Sequence, residues 1–279
     1  MTRVASKRQS LLRLAAMLLV LCGLGSSTGA WAATSSVFLE ELTWTELRDA
    51  VRAGKTTIII PVGGTEQSGP HMVLGKHNLR VKALAGRIAE SLGNALVAPV
   101  LAYVPEGSIT PPSSHMRFAG TISIPDATFK SLLDTAARGF KPHGFIDVVL
   151  IGDHGGYQNL LKAVALKLNQ DWAASPARAH FIDEYYRVTQ TAYVQALQAR
   201  GLSAAQIGTH AGAADTSLLM AIDAAGVRPE QFALAEHEGL TLGVAGDPRG
   251  SSAALGQAGV DLIVTHTVAA IRRAIAPRH

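Results

Sequence analysis

Residues 64–78 read GTEQSGPHMVLGKHN, with one carboxylate, Glu66, and two imidazoles, His71 and His77, around a Gly-Pro turn. Residues 152–156, GDHGG, add His154 beside Asp153 and two glycines. A carboxylate and two imidazoles from separate loops can hold a divalent cation and leave coordination positions for water. Open coordination suits hydrolysis, because the ion lowers the pKa of its water and polarises a carbonyl. Glycines beside His154 let the backbone approach a bound group closely. On spacing alone, each of these histidines also suits an ordinary loop or cap. HAGAADTS (210–217) offers His210 as an acid or base and Asp215 as a further ligand. Asp215 and Thr216 equally suit the cap of a following helix. His115 and Arg117 lie in a long loop and are candidates for substrate contact. GDPRGSS (246–252) reads as a turn and helix cap, whose backbone N–H groups also suit an anion. A Ser–His–Asp hydrolase would need a G-x-S-x-G elbow, and none is present within residues 33–279. No Walker or dinucleotide glycine pattern stands between a strand and a helix.

The elements that must carry these residues are readable. TTIIIPV (56–62) and DVVLIGD (147–153) are continuous apolar runs, the mark of strands covered on both faces. ALVAPVLAY (95–103) reads as another strand, and HFIDEYY (180–186) as a strand end. Helical spacing is clear over 78–92, in the helix after Asp126, which its side chain can cap, and in the helix after HGGYQN. Further helices are expected near 189–200, 215–223 and 251–275. Residues 104–120 are rich in Pro, Gly and Ser and have no period, so they form a long loop, which in a compact domain is usually functional or disordered. Alternating strands and helices predict an α/β fold with a mostly parallel sheet and helices on both faces. Ligands in such folds gather beyond the carboxyl ends of the strands. Glu66 to His77 follows one strand, and Asp153-His154 ends another.

The first 32 residues predict a secretory signal peptide: Arg3, Lys7, Arg8 and Arg13, an apolar run from Leu11, and Ala30-Trp31-Ala32 as the cleavage site. An uncleaved anchor is the rival. A lipoprotein at Cys22 is disfavoured by the preceding Leu21, and Ser6-Lys7-Arg8 only weakly resembles a twin-arginine signal. Residues 33–279 then form one domain, periplasmic or secreted, with no membrane association once the leader is removed. The only cysteine leaves with the leader, so no disulfide contributes. Four of the 25 basic residues leave too, and the remaining 21 balance 21 acidic ones. That balance gives no electrostatic case for nucleic acid.

Five segments in order resemble the creatininase (creatinine amidohydrolase) family. PVGGTEQSGPHMVLGKHN is similar to its PVG-x-x-EQHGPHLPL-x-x-D motif, and IGDHGGYQN to NGHGGN. HMRFAGTISI, HAGAADTS and GVAGDPRGSSAALG are similar to H-x-x-FPGT-x-S, HAG-x-x-ETS and GV-x-GDP. The resemblance covers most of residues 61–256. It implies a three-layer αβα sandwich, a metal-dependent hydrolase of C–N amide bonds other than peptide bonds, two divalent ions and a homo-oligomer. Glu66 falls on the family's first glutamate ligand and His154 on its later histidine ligand. His210 falls on a histidine near the substrate, and Asp215 replaces a glutamate by the site.

The departures shape the expectation. The histidine ligand of EQH is Ser68 here, and the bridging aspartate is His77. A carboxylate spans two cations, whereas a neutral imidazole binds one through a single nitrogen. The expected centre is therefore one tight ion, zinc first with manganese or iron as alternatives, held by Glu66, His77 and His154. Asp215 or water completes the shell, His71 is a reserve ligand, and Asp153 steers His154. His210 donates a proton to the leaving nitrogen of a small amide or lactam. Gly156 stands where creatininase carries a glutamate, which argues against creatinine as substrate. The alternatives are a binding protein that has lost catalysis, and a formamide or small-peptide hydrolase of the same fold.

Overall fold

The computed structural model describes residues 36–276. The proposed leader lies outside the described residues. Four strands, β1 (Thr57–Val62), β2 (Ala95–Val97), β3 (Asp147–Gly152) and β4 (Arg178–Phe181), form one parallel sheet in the order β2-β1-β3-β4. All six residues of β1 are buried, because helices cover both faces. Alternation along the strands feeds two cores. Ile58, Ile60, Val62, Val148 and Leu150 meet α1 (Trp44–Arg52), α3 (Asp126–Phe140) and α4 (Gln158–Asp171). Ile59, Val149 and Ile151 meet α2 (Lys76–Leu92), α5 (Ala213–Ile222) and α6 (Ala253–Ile275). The result is the expected αβα sandwich. Helix α6 is long and apolar enough to cross a membrane by composition, but Val260, Ile263, Val268 and Ile271 are spent on the core.

Several expected elements differ in extent. Strand β2 stops at Val97, because Pro99 has no N–H to continue the ladder. The chain returns at Leu101, whose N–H donates to the Pro61 carbonyl at 3.0 Å. Strand β4 ends at Phe181, and Tyr185 lies in a short helix, Glu184–Gln190. A break at Thr191 separates that helix from Ala192–Gln198. Asp126 is the first residue of α3 and not its cap: Pro125 holds the cap position, and the Asp126 charge acts on the helix N-terminus. The GDPRGSS reading holds: the Asp247 side chain accepts from Arg249 N, and Ser252 Oγ accepts from Leu255 N to cap α6.

One side chain ties together the two strand ends that matter. Tyr157 Oη directs its one proton between the carbonyls of Val62 and Gly63 at the end of β1. It also accepts the N–H groups of Asp153 and His154, each at 3.1 Å, just past β3. Gly152 is required there, since a Cβ would meet the Tyr157 ring at 2.6 Å. Tyr157→Phe is expected to cost about 1–3 kcal/mol, because it strands buried backbone groups. Urea unfolding at constant m value checks this.

Candidate metal centre

Beyond the carboxyl ends of β1 and β3 four ligand-bearing side chains converge. Glu66, Glu106, His115 and His154 each offer an atom, and these atoms all lie within 4.8 Å of one another. Glu66 follows β1 in a loop clamped by Asn78 of α2, whose side chain accepts from Gly64 N at 3.0 Å and donates to Thr65 Oγ1 at 3.2 Å. His154 follows β3 on the Tyr157 latch. Glu106 and His115 come from the long loop after β2. Ser123 Oγ fixes Glu106 by accepting its N–H at 3.0 Å. Ser114, just before His115, has φ of 49°, a left-handed conformation rarely held by a non-glycine residue.

The fit to a divalent cation rests on unpaired atoms. Glu66 Oε2 and both oxygens of Glu106 are buried and make no hydrogen bond among the described residues. Buried carboxyl oxygens are normally paired, so three without a partner in one place, one on the ionised Glu66 and two on Glu106, fit a cation that would take the place of the Glu106 proton. His115 Nε2 lies 3.2 Å and His154 Nε2 3.5 Å from Glu66 Oε2. His154 Nδ1 lies 3.6 Å from Glu106 Oε2. Two carboxylates and two imidazoles are a donor set that zinc, manganese and iron all accept.

Electrostatics point the same way. Burial resists the charge on Glu66, but Lys76, His77 and His154 outweigh it and hold its carboxyl well below the usual range. Burial, reinforced by the Glu66 carboxylate, pushes Glu106 up to about 9. A cation must therefore displace a proton from Glu106, which weakens binding as pH falls. Burial lowers His154 to about 4 and His210 to about 3, so both rings start neutral; the His154 lone pair accepts from Gly156 N at 3.3 Å, a contact that a cation at this ring would replace.

The other expected residues are placed differently. His77 has both ring nitrogens engaged: Nε2 lies 2.8 Å from Glu66 Oε1 and Nδ1 2.5 Å from Asp153 Oδ1. It links two carboxylates and stands outside the converging four. Asp215 is not offered to the cluster either. Arg80 donates to its Oδ1 at 2.7 Å, and its Oδ2 takes Lys76 Nζ at 3.3 Å and Ala211 N at 2.9 Å. Asp153 steers His77 rather than His154, and takes Arg80 Nε at 2.9 Å and Tyr185 Oη at 2.8 Å. Burial opposes both charges, yet Arg80 keeps Asp153 below its ordinary value, and Lys76 with Arg80 keeps Asp215 well below. His71 points elsewhere, with Nε2 3.1 Å from Thr216 Oγ1 and its ring edge-on to Phe232. Ser68 is buried, and its hydroxyl has no partner among the described residues. His210 Nε2 lies 3.0 Å from the Gln67 carbonyl, to which it donates, leaving Nδ1 3.7 Å from Glu66 Oε1.

Sequence reading missed Glu106, Lys76 and Arg80. Glu106 stands alone in an aperiodic loop, 40 residues from Glu66. The only local hint was a carboxylate between Pro105 and Gly107 in a loop already marked as functional or disordered. A cavity of about 200 Å³ opens on the cluster, lined among others by His115, His154, His210, Asp215, Tyr186 and Gln190.

An αβα sandwich with a carboxylate–imidazole cluster at the strand ends is the arrangement of a metal-dependent hydrolase. The comparisons with known proteins agree. Residues 40–271 match the family described as creatinine amidohydrolase. Creatinine amidohydrolase of Pseudomonas putida is 31% identical over 194 residues, covering 68% of this chain and 73% of that one. A mycofactocin precursor peptide peptidase of Mycolicibacterium smegmatis is 35% identical over 114 residues, 39% of this chain and 44% of that one. The manganese creatininase structure superposes with a TM-score of 0.72 at 25% identity, covering 87% of this chain and all of that one. The chain belongs to the creatininase family, and with it to the metal-dependent hydrolases of C–N bonds.

Proposed function

We propose that this chain is an exported amidohydrolase that cleaves a C–N amide or lactam bond of a small substrate at one divalent cation held by Glu66, Glu106, His115 and His154. The three unpaired, buried carboxylate oxygens facing two neutral imidazoles carry this reading. A divalent ion bound there supplies Lewis acidity and a lowered pKa for its water. The protein residues supply the rest. His210 starts neutral, so it must first take a proton before it can hand one to the leaving nitrogen; its Nδ1 faces the site for both transfers. Gln67 holds that ring through its carbonyl. Lys76 and Arg80 neutralise Asp215 and Asp153, so the wall of the cavity carries no unpaired anion beside the reacting carbonyl.

The cavity volume favours a substrate smaller than a typical drug-sized ligand. Similarity to peptide peptidases supports the second reading, cleavage of a short peptide or formamide, while Gly156 speaks against creatinine itself. Export is supported by the basic, apolar and A-x-A pattern of residues 1–32. Zinc is the proposed ion, and a homo-oligomer the proposed assembly. The test is to strip the protein with chelator, reload it with zinc, manganese or iron, and assay lactams, formamides and short peptides. Turnover of a small amide that returns only on reloading is expected. Turnover that survives complete stripping would refute the proposal.

A further inference from the structure

Helix α2 begins at Lys76, whose side chain is wholly buried. Its ammonium lies 3.4 Å from Glu66 Oε1 and 3.3 Å from Asp215 Oδ2. A lysine is almost never fully buried unless paired, and here it is paired with two carboxylates, one of them 139 residues along the chain. The arrangement divides Glu66 in two. Oε1 faces Lys76 and His77, with His210 Nδ1 3.7 Å away, while Oε2 faces His115 and His154 and has no hydrogen bond among the described residues.

We infer that the Lys76 ammonium occupies a second cation position, so that the centre takes one exchangeable ion and carries a built-in monovalent charge beside it. The inference rests on reading the four-residue cluster as a cation site. The two oxygens that could hold a second ion, Glu66 Oε1 and Asp215 Oδ2, are both on the ammonium already. Among the described residues no second group of ligand-bearing side chains converges. Lys76 also acts as a positioning residue, since pinning Oε1 turns Oε2 toward the open site.

The test is cation stoichiometry, read by elemental analysis and calorimetric titration of the full, chelator-stripped chain with zinc and with manganese. The wild type is expected to take one equivalent at every cation concentration short of non-specific binding. Lys76→Ala vacates the space between the two carboxylates and is expected to take a second equivalent, which added ethylammonium displaces by refilling it. Two tight equivalents in the wild type would overturn the inference. A folded Lys76→Ala protein that still takes only one would do so as well. Should that variant not fold, the wild-type titration decides alone. No bound cation in the wild type would instead refute the cluster as a metal centre, so the two failures are distinguishable.

Discussion

Glu106→Gln is expected to lower cation affinity by at least about 100-fold, and kcat/KM with it at limiting metal. Loss of a hydrogen bond behind a ligand already costs roughly 10–100-fold, and Glu106 is proposed as a ligand itself. The substitution is nearly isosteric and leaves a neutral group where burial already favours the neutral acid. Stability of the metal-free protein should therefore change much less than cation affinity does. That separation makes the variant informative: competition with a chromophoric chelator reads the affinity, and urea unfolding reads the fold. His154→Ala should remove bound metal and turnover together, but it also empties packed space against Tyr157 and His77. A Glu106→Gln protein that binds metal as tightly as the wild type would exclude Glu106 from the shell.

The second large effect is on stability. Arg80→Met is expected to cost about 3–5 kcal/mol, the usual result of removing one partner from a buried ion network. Arg80 is 3% exposed and donates to both Asp153 and Asp215, which burial would otherwise neutralise. For a chain of this size the midpoint of thermal unfolding should fall by on the order of 10 °C. The pH dependence follows from the signs. Asp153 and Asp215 have carboxyls held below their unfolded values, so their contribution is present above about pH 4 and is lost as pH falls through the folded values. Without Arg80 both carboxyls rise, and acid loss should begin at higher pH. Differential scanning calorimetry between neutral and acid pH measures both changes. An unchanged acid limb in the variant would show that Arg80 does not set these carboxyls.

How much of this was legible follows from whether a residue's role is set locally. β1 and β3 announce themselves through unbroken runs of branched apolar residues, which only a doubly covered strand buries whole. From that, the location of Glu66 and His154 at the strand ends follows. Strand β2 was read too long, because the apolar composition of residues 98–103 outweighed the missing N–H of Pro99. Lys76 and Arg80 look in sequence like the solvated side of a helix. They are buried because Asp153 and Asp215, far along the chain, arrive opposite them. For the same reason Asp215 looked like a ligand: its carboxylate is at the site, but two cations claim it. His77 is claimed in the same way, its two nitrogens turned to the carboxylates of Glu66 and Asp153 beside it. Glu106 was invisible, since nothing near it in sequence reveals that Ser123 turns it inward.

The most direct measurement is anomalous scattering from a crystal of the zinc-loaded protein. One peak is expected, at about 2.0–2.2 Å from a Glu66 oxygen and a Glu106 oxygen and at a similar distance from nitrogens of His115 and His154. A peak bound instead by Asp215 and His77, with the Glu106 carboxyl turned away, would contradict the account.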